Sequence, residues 1–555
     1  MVIENLALGL TLLGSFLLVA SLGYFFHMRG KAMLLFFQQE EYDAQRITGW
    51  WWRNRAFDRT TSLAVLFIYL IELGFDFRSL AAVLMVSYAA AFAFYAGAVR
   101  SRAVLTRAKK KLVMTDRARR IHLMYLVLAV AAIAGVVMIS GSLGSPVGKV
   151  LFLLLLQAPL FVMLLANALL APIEARVRAL FLDEARQKLH QVSPKIAAIA
   201  GSYGKTSTKH ILAHILSAVE PTLATPGSVN TEMGITRVIR QDLEPRHRFF
   251  VVEMGAYGPG AIRRLCALTP PDLGILTAIG LAHLERFGSQ EKVVEAKFEL
   301  AEVMSQKGGR TIVNAPRIPA GGLEAAMVDE DSLILLHHEE AADGWSGARI
   351  AKRQVTRTGI QVDLEIAASG TTLNLEAPLY GSHQAENVAL AALAALQLGI
   401  SEAIIKASLK TLPQIRHRLE VLLSKDGPTV IDDAYNSNPS GFAAALQVLD
   451  LFAEPDGKRY LITPGMVELG PEHDRQHLEL GRLAGKSTDV ALVVTAERIP
   501  TFVEGIKETM GPEAELHAFA TQGKAEAHLK AAAGAHDVIL FENNLPDLFE
   551  QRLRL

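Results

Sequence analysis

The stretch Ile196-Ala-Ala-Ile-Ala-Gly-Ser-Tyr-Gly-Lys-Thr-Ser-Thr-Lys209 consists of an apolar run, a turn with two glycines, and a Lys-Thr pair. The apolar run predicts a buried strand, and the spacing after it, from Lys209 to Val219, predicts a helix. In such a turn the glycines let backbone N–H groups face phosphate oxygens, Lys205 adds a positive charge, and the Thr206 hydroxyl can ligate Mg²⁺. The general phosphate-loop pattern has a further glycine where this sequence has Ile199, so an incidental glycine-rich turn is the alternative to the nucleotide-binding loop that we predict.

Composition divides the chain into a membrane part and a second part. With 555 residues and 51% hydrophobic residues, the chain is too long for one domain and too apolar for an ordinary soluble protein. The 56 basic and 56 acidic residues balance, which argues against nucleic acid as a partner. The single cysteine, Cys266, excludes an internal disulfide and a cysteine-rich metal site.

The apolar excess precedes residue 172 and predicts about five membrane spans of the length that crosses a bilayer. The predicted spans are Leu6 to Phe26, Thr61 to Phe75, Leu80 to Val99, Ile121 to Ser140 and Val150 to Ala171. The second is short and contains Glu72, so a re-entrant segment is its alternative. The first resembles a signal peptide, but Glu4 precedes it, no basic residue does, and further spans follow.

Basic residues concentrate in two of the segments that connect these spans. One holds Arg29, Lys31, Arg46, Arg53, Arg55 and Arg59, and the other runs from Arg100 to Arg120. The positive-inside bias then predicts a multi-pass protein of the cell membrane with its N-terminus outside and everything after Ala171 in the cytosol. The basic runs are interpreted as topology signals or lipid-facing surface, with membrane lipid as a partner, and Trp50-Trp51-Trp52 as an interfacial anchor.

Four regions follow from the pattern: a membrane domain (1–172), a charged linker helix (173–192), a central α/β domain (193–414) and a C-terminal α/β domain (415–555). Apolar runs alternate with helical patterns in both α/β domains, which is typical of doubly wound parallel sheets. The alternating residues from Ile350 to Leu379 predict an antiparallel hairpin at the margin of the central sheet. Two such domains imply a cleft between them.

Polar residues follow several of the predicted strands, where α/β proteins bind ligands. Glu253 ends one strand, and a carboxylate there suits Mg²⁺ held against a triphosphate. His283 and Lys297 come next along the chain. Taken singly, these residues can equally be a helix-capping acid, a hydrogen-bonded core histidine and a solvated lysine.

A set of short strings follows in order along residues 195 to 500: Gly201-Ser-Tyr-Gly-Lys-Thr206, Val229-Asn-Thr-Glu-Met-Gly234, Val252-Glu-Met-Gly255, Ala282-His-Leu-Glu-Arg-Phe-Gly-Ser289, Ala296-Lys297, Gly381-Ser-His-Gln-Ala-Glu-Asn387, Arg418, Asp432-Asp-Ala-Tyr-Asn-Ser-Asn-Pro439 and Met466-Val-Glu-Leu-Gly470. In this order they resemble the Mur ligase family, ATP-dependent enzymes that add amino acids to peptidoglycan precursors. The Tyr435-Asn436-x-Asn438-Pro439 string points to the branch that adds D-alanyl-D-alanine. The resemblance implies a phosphate-loop central domain and a Rossmann-like C-terminal domain.

The resemblance also implies roles for individual residues. The phosphate loop, which would hold ATP and a first Mg²⁺, comprises Gly201, Ser202, Tyr203, Gly204, Lys205, Thr206 and Ser207. Glu253, His283 and a carbamylated Lys297 would hold a second Mg²⁺ and, with Lys205, form the catalytic set. Asn387, Arg418 and Asp433 would contact the nucleotide across the cleft, and Asn230, Tyr435, Asn436 and Asn438 would bind substrate.

Several strings depart from the family pattern. Asn314-Ala315-Pro316-Arg317 stands where the family often has Asn-Ala-Asp-Asp, and Gln384 stands where an asparagine is usual. Thr463-Pro-Gly465 replaces a Gly-Asp, and Phe541-Glu-Asn-Asn544 lacks the usual Lys-Gly-Ser. Membrane spans stand in place of the family's domain for the UDP-sugar.

The sequence therefore predicts a membrane-anchored, cytosol-facing ligase of the cell envelope. It would activate a precursor peptide's carboxylate as an acyl phosphate and join it to an amino acid or D-Ala-D-Ala. Two alternatives stay open: a ligase for a lipid-linked or other polymer precursor, and a membrane-bound receptor or scaffold that binds ATP without ligation.

Overall fold

The computed structural model describes residues 2–74, 79–108, 111–143, 145–280, 287–325, 328–339, 345–435, 437–467 and 469–544. The described residues group into two units, 2–177 and 178–544, and each is described by itself. The first unit is helical, and the second contains two β-sheets.

Apolar side chains form the core of the helical unit, where Phe25, Phe36 and Tyr125 are fully buried. Its helices are α1 (Val2–Gln39), α2 (Ala44–Arg53), α3 (Arg59–Gly74), α4 (Leu80–Arg107), α5 (Asp116–Leu143), α6 (Ser145–Gln157) and α7 (Pro159–Val192), which continues into the second unit. Many large apolar side chains on these helices also face outward, as in a protein surrounded by lipid.

Within the described ranges, four helical segments are long and apolar enough to cross a membrane: Ala7–Gln39, Leu80–Arg107, Asp116–Ser142 and Pro159–Val192. Two predicted spans differ from the structure. The span from Thr61 coincides with α3, whose 16 residues fall short of the ~20 that a crossing needs. The span from Val150 to Ala171 is divided between α6 and α7 because Pro159 disfavours helical backbone at Ala158.

The charged residues 173–192, predicted as a separate linker helix, form the second half of α7. The helix continues through Pro172, and its last turns pack Ala185 and Leu189 into the core of the second unit. The boundary between the two units therefore lies inside α7, at residues 177 and 178.

A polar contact joins three elements inside the helical unit. The side chains of Arg29 and Asp58 lie 3.7 Å apart and are both buried. The Gln157 amide bonds the backbone of Asp58 twice, accepting from its N–H at 3.0 Å and donating to its carbonyl at 2.7 Å. An unpaired buried charge is costly, so the Arg29–Asp58 pair holds α1 against the start of α3. The two Gln157 hydrogen bonds hold the end of α6 at the same place.

The central domain contains a nine-stranded sheet in the order β2-β3-β1-β4-β5-β6-β7-β8-β9. Its strands are β1 (Lys195–Ala200), β2 (Thr222–Ala224), β3 (Phe249–Glu253), β4 (Leu273–Leu276), β5 (Arg310–Asn314), β6 (Leu333–His337), β7 (Ala348–Thr356), β8 (Gly359–Ile366) and β9 (Thr371–Ala377). Neighbours from β2 to β7 are parallel, whereas β7, β8 and β9 pair antiparallel at the edge. The antiparallel margin predicted for residues 350–379 is confirmed, with three strands in place of a single hairpin.

Helices cover both faces of this sheet. They are α8 (Lys205–Ser217), α9 (Glu232–Asp242), α10 (Ala261–Leu268), α11 (Gln290–Gln306), α12 (Gly322–Ala325), α13 (Gln384–Gln397) and α14 (Glu402–Lys410), with short 3₁₀ turns at Ala315–Arg317 and Glu330–Ser332. The apolar residues of α8 and α13 share one core cluster, and those of α9, α10 and α11 share another.

The C-terminal domain contains a six-stranded sheet in the order β10-β11-β15-β12-β13-β14. Its strands are β10 (Glu420–Leu422), β11 (Thr429–Asp433), β12 (Arg459–Thr463), β13 (Val490–Val494), β14 (Glu515–Phe519) and β15 (Val538–Glu542). Its helices are α15 (Pro439–Phe452), α16 (His473–Ser487), α17 (Pro500–Thr509) and α18 (Gln522–Ala532), with 3₁₀ turns at Gly470–Glu472 and Ala496–Arg498. All pairs are parallel except β10 with β11, so the predicted second α/β domain is confirmed.

The order of the central strands reverses at β1, which lies between β3 and β4. Ligands of open parallel sheets bind outside the carboxyl ends of the strands at such a point. The loop after β1, Glu253 at the end of β3, and Asn314 at the end of β5 all lie at this edge.

Candidate active site

The glycine-rich loop after β1 has the backbone geometry that its sequence predicts. Gly201 and Gly204 adopt φ values of +148° and +83°, which side-chain-bearing residues rarely adopt. A Cβ on Gly204 would also lie 2.5 Å from Oδ1 of Asn387. The Lys205 ammonium curls back on the loop and donates to the carbonyls of Gly201 at 2.7 Å and Ser202 at 3.0 Å.

Lys205 is partly buried among positive charges. Desolvation lowers the pKa of its ammonium to about 8, with Arg418 and Lys209 adding to the effect and Glu253 opposing it. A partly buried, cation-rich loop of this kind favours a polyanion, because phosphate oxygens would neutralise the charges and replace the carbonyl partners of Lys205.

Glu253 holds the centre of a polar cluster beside the loop. Its Oε2 accepts hydrogen bonds from the Thr206 hydroxyl at 2.9 Å and the Lys209 ammonium at 3.0 Å, and its Oε1 accepts from the Asn230 amide at 3.0 Å. Burial alone would raise the pKa of this carboxyl group, but Lys209 and Lys205 outweigh burial and lower the pKa. Glu253 is therefore ionised, and its carboxylate and the Thr206 hydroxyl offer the hard oxygen donors that Mg²⁺ prefers.

Lys209 is a member of this cluster that our reading of the sequence missed. Its side chain is fully buried, forms an ion pair with Glu253 and also donates to the carbonyl of Gly227. The signal was its spacing, because residues four apart share a helix face and Lys209 follows Lys205 by four. Asn230, predicted to contact substrate, lies against Glu253 and also accepts a hydrogen bond from the Tyr257 hydroxyl at 2.9 Å.

Lys297, on α11, is buried with 2% of its surface exposed. No hydrogen bond or ion pair joins it to a residue within the described ranges. Burial lowers its pKa well below the usual lysine value, and the charge of Lys205 acts in the same direction. Burial therefore favours the neutral amine over the ammonium at this position.

Arg418 joins the two α/β domains across the cleft. Its guanidinium donates to the Thr206 hydroxyl at 3.3 Å and stacks over the Tyr435 ring, with 4.6 Å between the guanidinium carbon and the ring centre. Arg418 thus places one cation of the C-terminal domain at the phosphate loop.

The first turn of α13 lies beside the loop. Asn387 accepts from the Thr208 hydroxyl at 3.2 Å and donates to Gln384 at 2.9 Å. One residue earlier, Glu386 accepts two hydrogen bonds from Nε of Arg317, at 3.0 Å, and one from its Nη2, at 2.6 Å. Arg317 is one of the two residues, with Pro316, that depart from the family's Asn-Ala-Asp-Asp string, and Glu386 is its partner.

Asp433, Tyr435 and Asn438 lie on the C-terminal side of the cleft. Asp433 ends β11 and accepts from the backbone N–H of Leu419 at 3.0 Å. Asn438 caps α15 by accepting from the backbone N–H of Gly441 at 3.0 Å. The remaining predicted residues, His283 and Asn436, lie outside the described residues.

One cleft of about 530 Å³ collects most of the residues predicted from the sequence. Its lining includes Ser202, Tyr203, Gly204, Lys205, Thr206, Ser207, Asn230, Glu253, Asn387, Arg418, Asp433, Tyr435 and Asn438. Such a cleft can bind a polyphosphate along the loop and a second ligand on the C-terminal side; the individual roles stay predictions.

Comparison with known families agrees with this architecture. Residues 199–396 match the model of the Mur ligase middle domain. Residues 417–542 match that of the Mur ligase C-terminal, glutamate ligase domain. The chain contains the middle and C-terminal domains of Mur ligases.

Among relatives of these Mur ligase domains is the UDP-N-acetylmuramoyl-tripeptide–D-alanyl-D-alanine ligase of Mycobacterium tuberculosis strain H37Rv, 34% identical over 306 residues. That alignment covers 54% of this chain and 58% of the relative. The enzyme of the same name from Escherichia coli K12 is 29% identical, over 53% of this chain and 63% of its own length. The chain thus spans about six-tenths of the length of these relatives.

Solved structures give the same fold. The MurF structure from Acinetobacter baumannii superposes with a TM-score of 0.56 and 26% identity, covering 66% of this chain and 77% of that one. MurF from Thermotoga maritima in complex with ADP gives a TM-score of 0.55 and 26% identity, covering 68% and 82%. The predicted fold class and family are confirmed.

Proposed function

We propose that this protein is an ATP-dependent amide ligase that activates a peptide carboxylate as an acyl phosphate and joins it to an amine. The main support is one cleft whose lining includes Lys205, Thr206, Glu253 and Arg418. Lys297 is buried in the central domain, which also contributes the first three of these residues. A protein that only bound ATP would not need the buried lysine with no described carboxylate partner. The name of the relatives, D-alanyl-D-alanine ligases, supports the same reaction class.

The chain's residues supply binding, positioning and charge for both steps. The loop from Gly201 to Ser207, together with Asn387, would hold ATP, while Lys205 and Arg418 would offset the charge that develops on the transferring phosphoryl group. The substrate carboxylate oxygen bonds to the γ-phosphorus as the bond to ADP breaks. The incoming amine then attacks the acyl carbon, and phosphate leaves.

Magnesium fits the oxygen donors on the central side of the cleft. Thr206 and Glu253 would hold one Mg²⁺ together with phosphate oxygens, and Glu253, His283 and a carbamylated Lys297 would hold a second. When bound, the ions supply charge neutralisation of the triphosphate. A buried lysine with a lowered pKa suits carbamylation, because CO₂ reacts with the neutral amine and the resulting carbamate is an anionic ligand.

The substrates are proposed from the relatives and from the helical unit. A UDP-linked muramoyl peptide and D-Ala-D-Ala are the substrates that the relatives' name states. Tyr435, Asn436 and Asn438 would line the site of the dipeptide, and Asn230 would contact substrate beside Glu253. Four apolar helices also favour a lipid-linked peptide, because they would anchor the chain in the membrane that holds such substrates.

We further propose that the ligase domains face the cytosol. With the short α3 counted as a fifth crossing, the basic connections favour that side, and ATP and UDP-linked precursors are available there. This places the protein in the cell membrane as a multi-pass enzyme with membrane lipid around its helical unit.

Assaying the full chain in lipid nanodiscs tests the function. With ATP, Mg²⁺ and D-Ala-D-Ala, the UDP-linked and the lipid-linked tripeptide are supplied in parallel, and amide product and ADP are measured. Product with either acceptor supports the ligase, and the faster acceptor names the substrate. ATP turnover without amide formation from either acceptor contradicts the ligase and favours the scaffold.

A shortened chain separates anchoring from substrate choice. It should start at Arg178, because a start at Leu189 would remove Ala185 from the core of the central domain. If it ligates the UDP-linked acceptor as fast as the full chain, the helical unit serves only as an anchor. Loss of ligation with retained ATP binding would show that the helical unit takes part in acceptor binding.

A further inference from the structure

Val467 and Leu469, here called the apolar pair, belong to the string Met466-Val-Glu-Leu-Gly470, which matches the Mur ligases but has none of the roles described above. Both residues line the cleft. They follow β12 at the carboxyl edge of the C-terminal sheet, where parallel sheets bind ligands. Among the described lining residues of the C-terminal domain, these two are the aliphatic ones. They therefore give this side of a largely polar cleft an apolar contact surface.

Two side chains hold the backbone directly before the apolar pair. The guanidinium of Arg498 donates to two carbonyl groups, that of Pro464 and, at 2.6 Å, that of Met466. The Asn543 amide donates to the carbonyl of Gly465 at 2.6 Å. Three consecutive carbonyl groups of the loop thus bond to side chains, which satisfies them without a strand or helix and fixes the course of the loop.

A buried histidine holds the same loop through a backbone N–H. The ring of His477 is fully buried, and its Nε2 accepts from the N–H of Met466 at 3.0 Å. Its Nδ1 donates to the carbonyl of His473 at 2.7 Å, so the two bonds fix one neutral tautomer. Burial also lowers the pKa of His477 to about 4. Gly465 has a φ of +70°, and a Cβ there would lie 2.8 Å from Nε2 of this ring, so the glycine permits the close approach.

The core of the C-terminal domain supports the apolar pair. Leu469 is 4% exposed and belongs to the core cluster that also contains Phe442 and Met466. Val467 is half-buried. Close-packed interiors resist overpacking, so a wall held by its loop and by the core cannot retreat from a large side chain. The same wall can pack against a small apolar side chain without rearrangement.

The other lining residues match the polar parts of the reactants. Lys205 and Arg418 carry the positive charge that suits phosphate, and both lie at the phosphate loop. Tyr435 and Asn438 are predicted to line the site of the dipeptide, where their hydroxyl and amide groups can meet its polar backbone. Aliphatic contact is left to the apolar pair, which lies in the domain that is predicted to bind the dipeptide.

We propose that the apolar pair contacts the side chain of the incoming amine and restricts it to amino acids or dipeptides with small apolar side chains. Arg498 is a positioning residue, which acts by holding the loop that carries Val467. This inference rests on the ligase function proposed above. A single methylene in an apolar pocket changes kcat/KM by ~10–200-fold, which is enough for two residues to set the preference. Alanine side chains fit this class, and leucine side chains do not.

Three dipeptides and one small nucleophile separate this contact from activation of the carboxylate. The full chain in nanodiscs receives ATP, Mg²⁺ and an acceptor peptide, and kcat/KM is measured for D-Ala-D-Ala, D-Leu-D-Ala and D-Ala-D-Leu. The wild type should use at least one leucine dipeptide ~10-fold less well than D-Ala-D-Ala, and Val467→Ala should remove most of that difference. Hydroxylamine captures an acyl phosphate as a hydroxamate and has no side chain, so Val467→Ala should form hydroxamate at the wild-type rate.

Val503→Ala is the matched control, because Val503 lies on α17, packs partly buried against the same core cluster and lines a separate surface pocket. Its preference among the dipeptides should equal that of the wild type. An unchanged preference in Val467→Ala overturns the inference. Slower hydroxamate formation with a raised KM for ATP would instead assign the apolar pair to the nucleotide. If the wild type releases no ADP and forms no hydroxamate, the ligase function itself fails.

Variants of Arg498 test the positioning role separately. Arg498→Ala loses both carbonyl contacts of the loop, so the preference among the dipeptides should shift in the same direction as in Val467→Ala, while hydroxamate forms at the wild-type rate. Arg498→Lys keeps the positive charge but not the forked geometry that spans two carbonyl groups, so its preference should shift too. Thermal unfolding shows that each variant is folded, and an unchanged preference in a folded variant contradicts the positioning role.

Discussion

The two α/β domains use the same edge of a parallel sheet for opposite charges. At the carboxyl edge of the central sheet, the cations Lys205 and Lys209 lie beside one carboxylate, Glu253, and Lys297 is buried on α11. At the same edge of the C-terminal sheet, two acidic residues, Asp433 and Glu542, are partners in the parallel register. The architecture fixes where ligands bind, and the residues at the strand ends decide which charge they carry.

This contrast divides the proposed reaction between the domains. The cationic edge suits the triphosphate, and the C-terminal side of the cleft carries Tyr435 and Asn438, which are predicted to line the site of the dipeptide. Arg418 is the exception, because it belongs to the C-terminal domain but extends to Thr206 at the phosphate loop. Variants on each side should therefore affect different steps.

The largest effect is expected at Lys205. Lys205→Ala removes the cation that would stabilise the transferring phosphoryl group, so ADP release should fall by ~10²-fold or more. Steady-state ADP release with saturating substrates is the measurement. Lys195→Ala, at the exposed start of β1, is the control that should keep full activity. Near-wild-type ADP release by Lys205→Ala would contradict a role of the phosphate loop in phosphoryl transfer.

A substitution of Lys297 tests whether this lysine acts as a carbamate, that is, as an anionic metal ligand. Lys297→Ala should be inactive and should regain part of its activity with a small added carboxylate such as acetate, which takes the place of the carbamate. The comparison variant is Lys292→Ala, exposed on the same helix, which acetate should not affect. Full activity of Lys297→Ala without acetate would refute the carbamate.

Lys209 tests the buried ion pair that supports Glu253. Lys209→Met leaves the Glu253 carboxylate buried without its main counter-charge, which should destabilise the central domain by ~3–5 kcal/mol. Thermal unfolding of the variant and of Lys209→Met/Glu253→Gln measures this effect. The double variant should regain much of the lost stability, because the glutamine amide that replaces the Glu253 carboxylate carries no charge. Equal destabilisation in both variants would mean that the effect comes from lost packing of the lysine side chain and not from the unpaired carboxylate.

The smallest effect is expected for Arg317, whose side chain is 40% exposed. Arg317→Ala leaves Glu386 bonded to Asn314, so the first turn of α13 keeps one of its restraints. The KM for ATP should rise by less than ~10-fold, with kcat little changed. Arg349→Ala, which loses a similar pair with Glu365 at 2.7 Å, should leave both constants unchanged; a large fall in kcat would assign Arg317 to the reaction itself.

The sequence predicted what depends on local pattern. The glycines predict the phosphate loop. The alternation of apolar runs with helical patterns predicts both sheets, and the ordered strings predict most residues of the cleft. The pattern failed at one predicted span, because hydropathy joins residues that Pro159 divides between α6 and α7. Arg317 with Glu386, and Asp433 with Glu542, are pairs separated by 69 and 109 positions, and only the fold brings their charges together.

Coupling between ATP use and amide formation tests the central claim most directly. The full chain in nanodiscs is supplied with ATP, Mg²⁺, a peptide acceptor and D-Ala-D-Ala, and ADP and amide are counted in the same reaction. The account predicts one ADP for each amide bond and little ADP when either the acceptor or the amine is omitted. ADP release at an equal rate without acceptor and amine, and no amide with either the UDP-linked or the lipid-linked peptide, would contradict it.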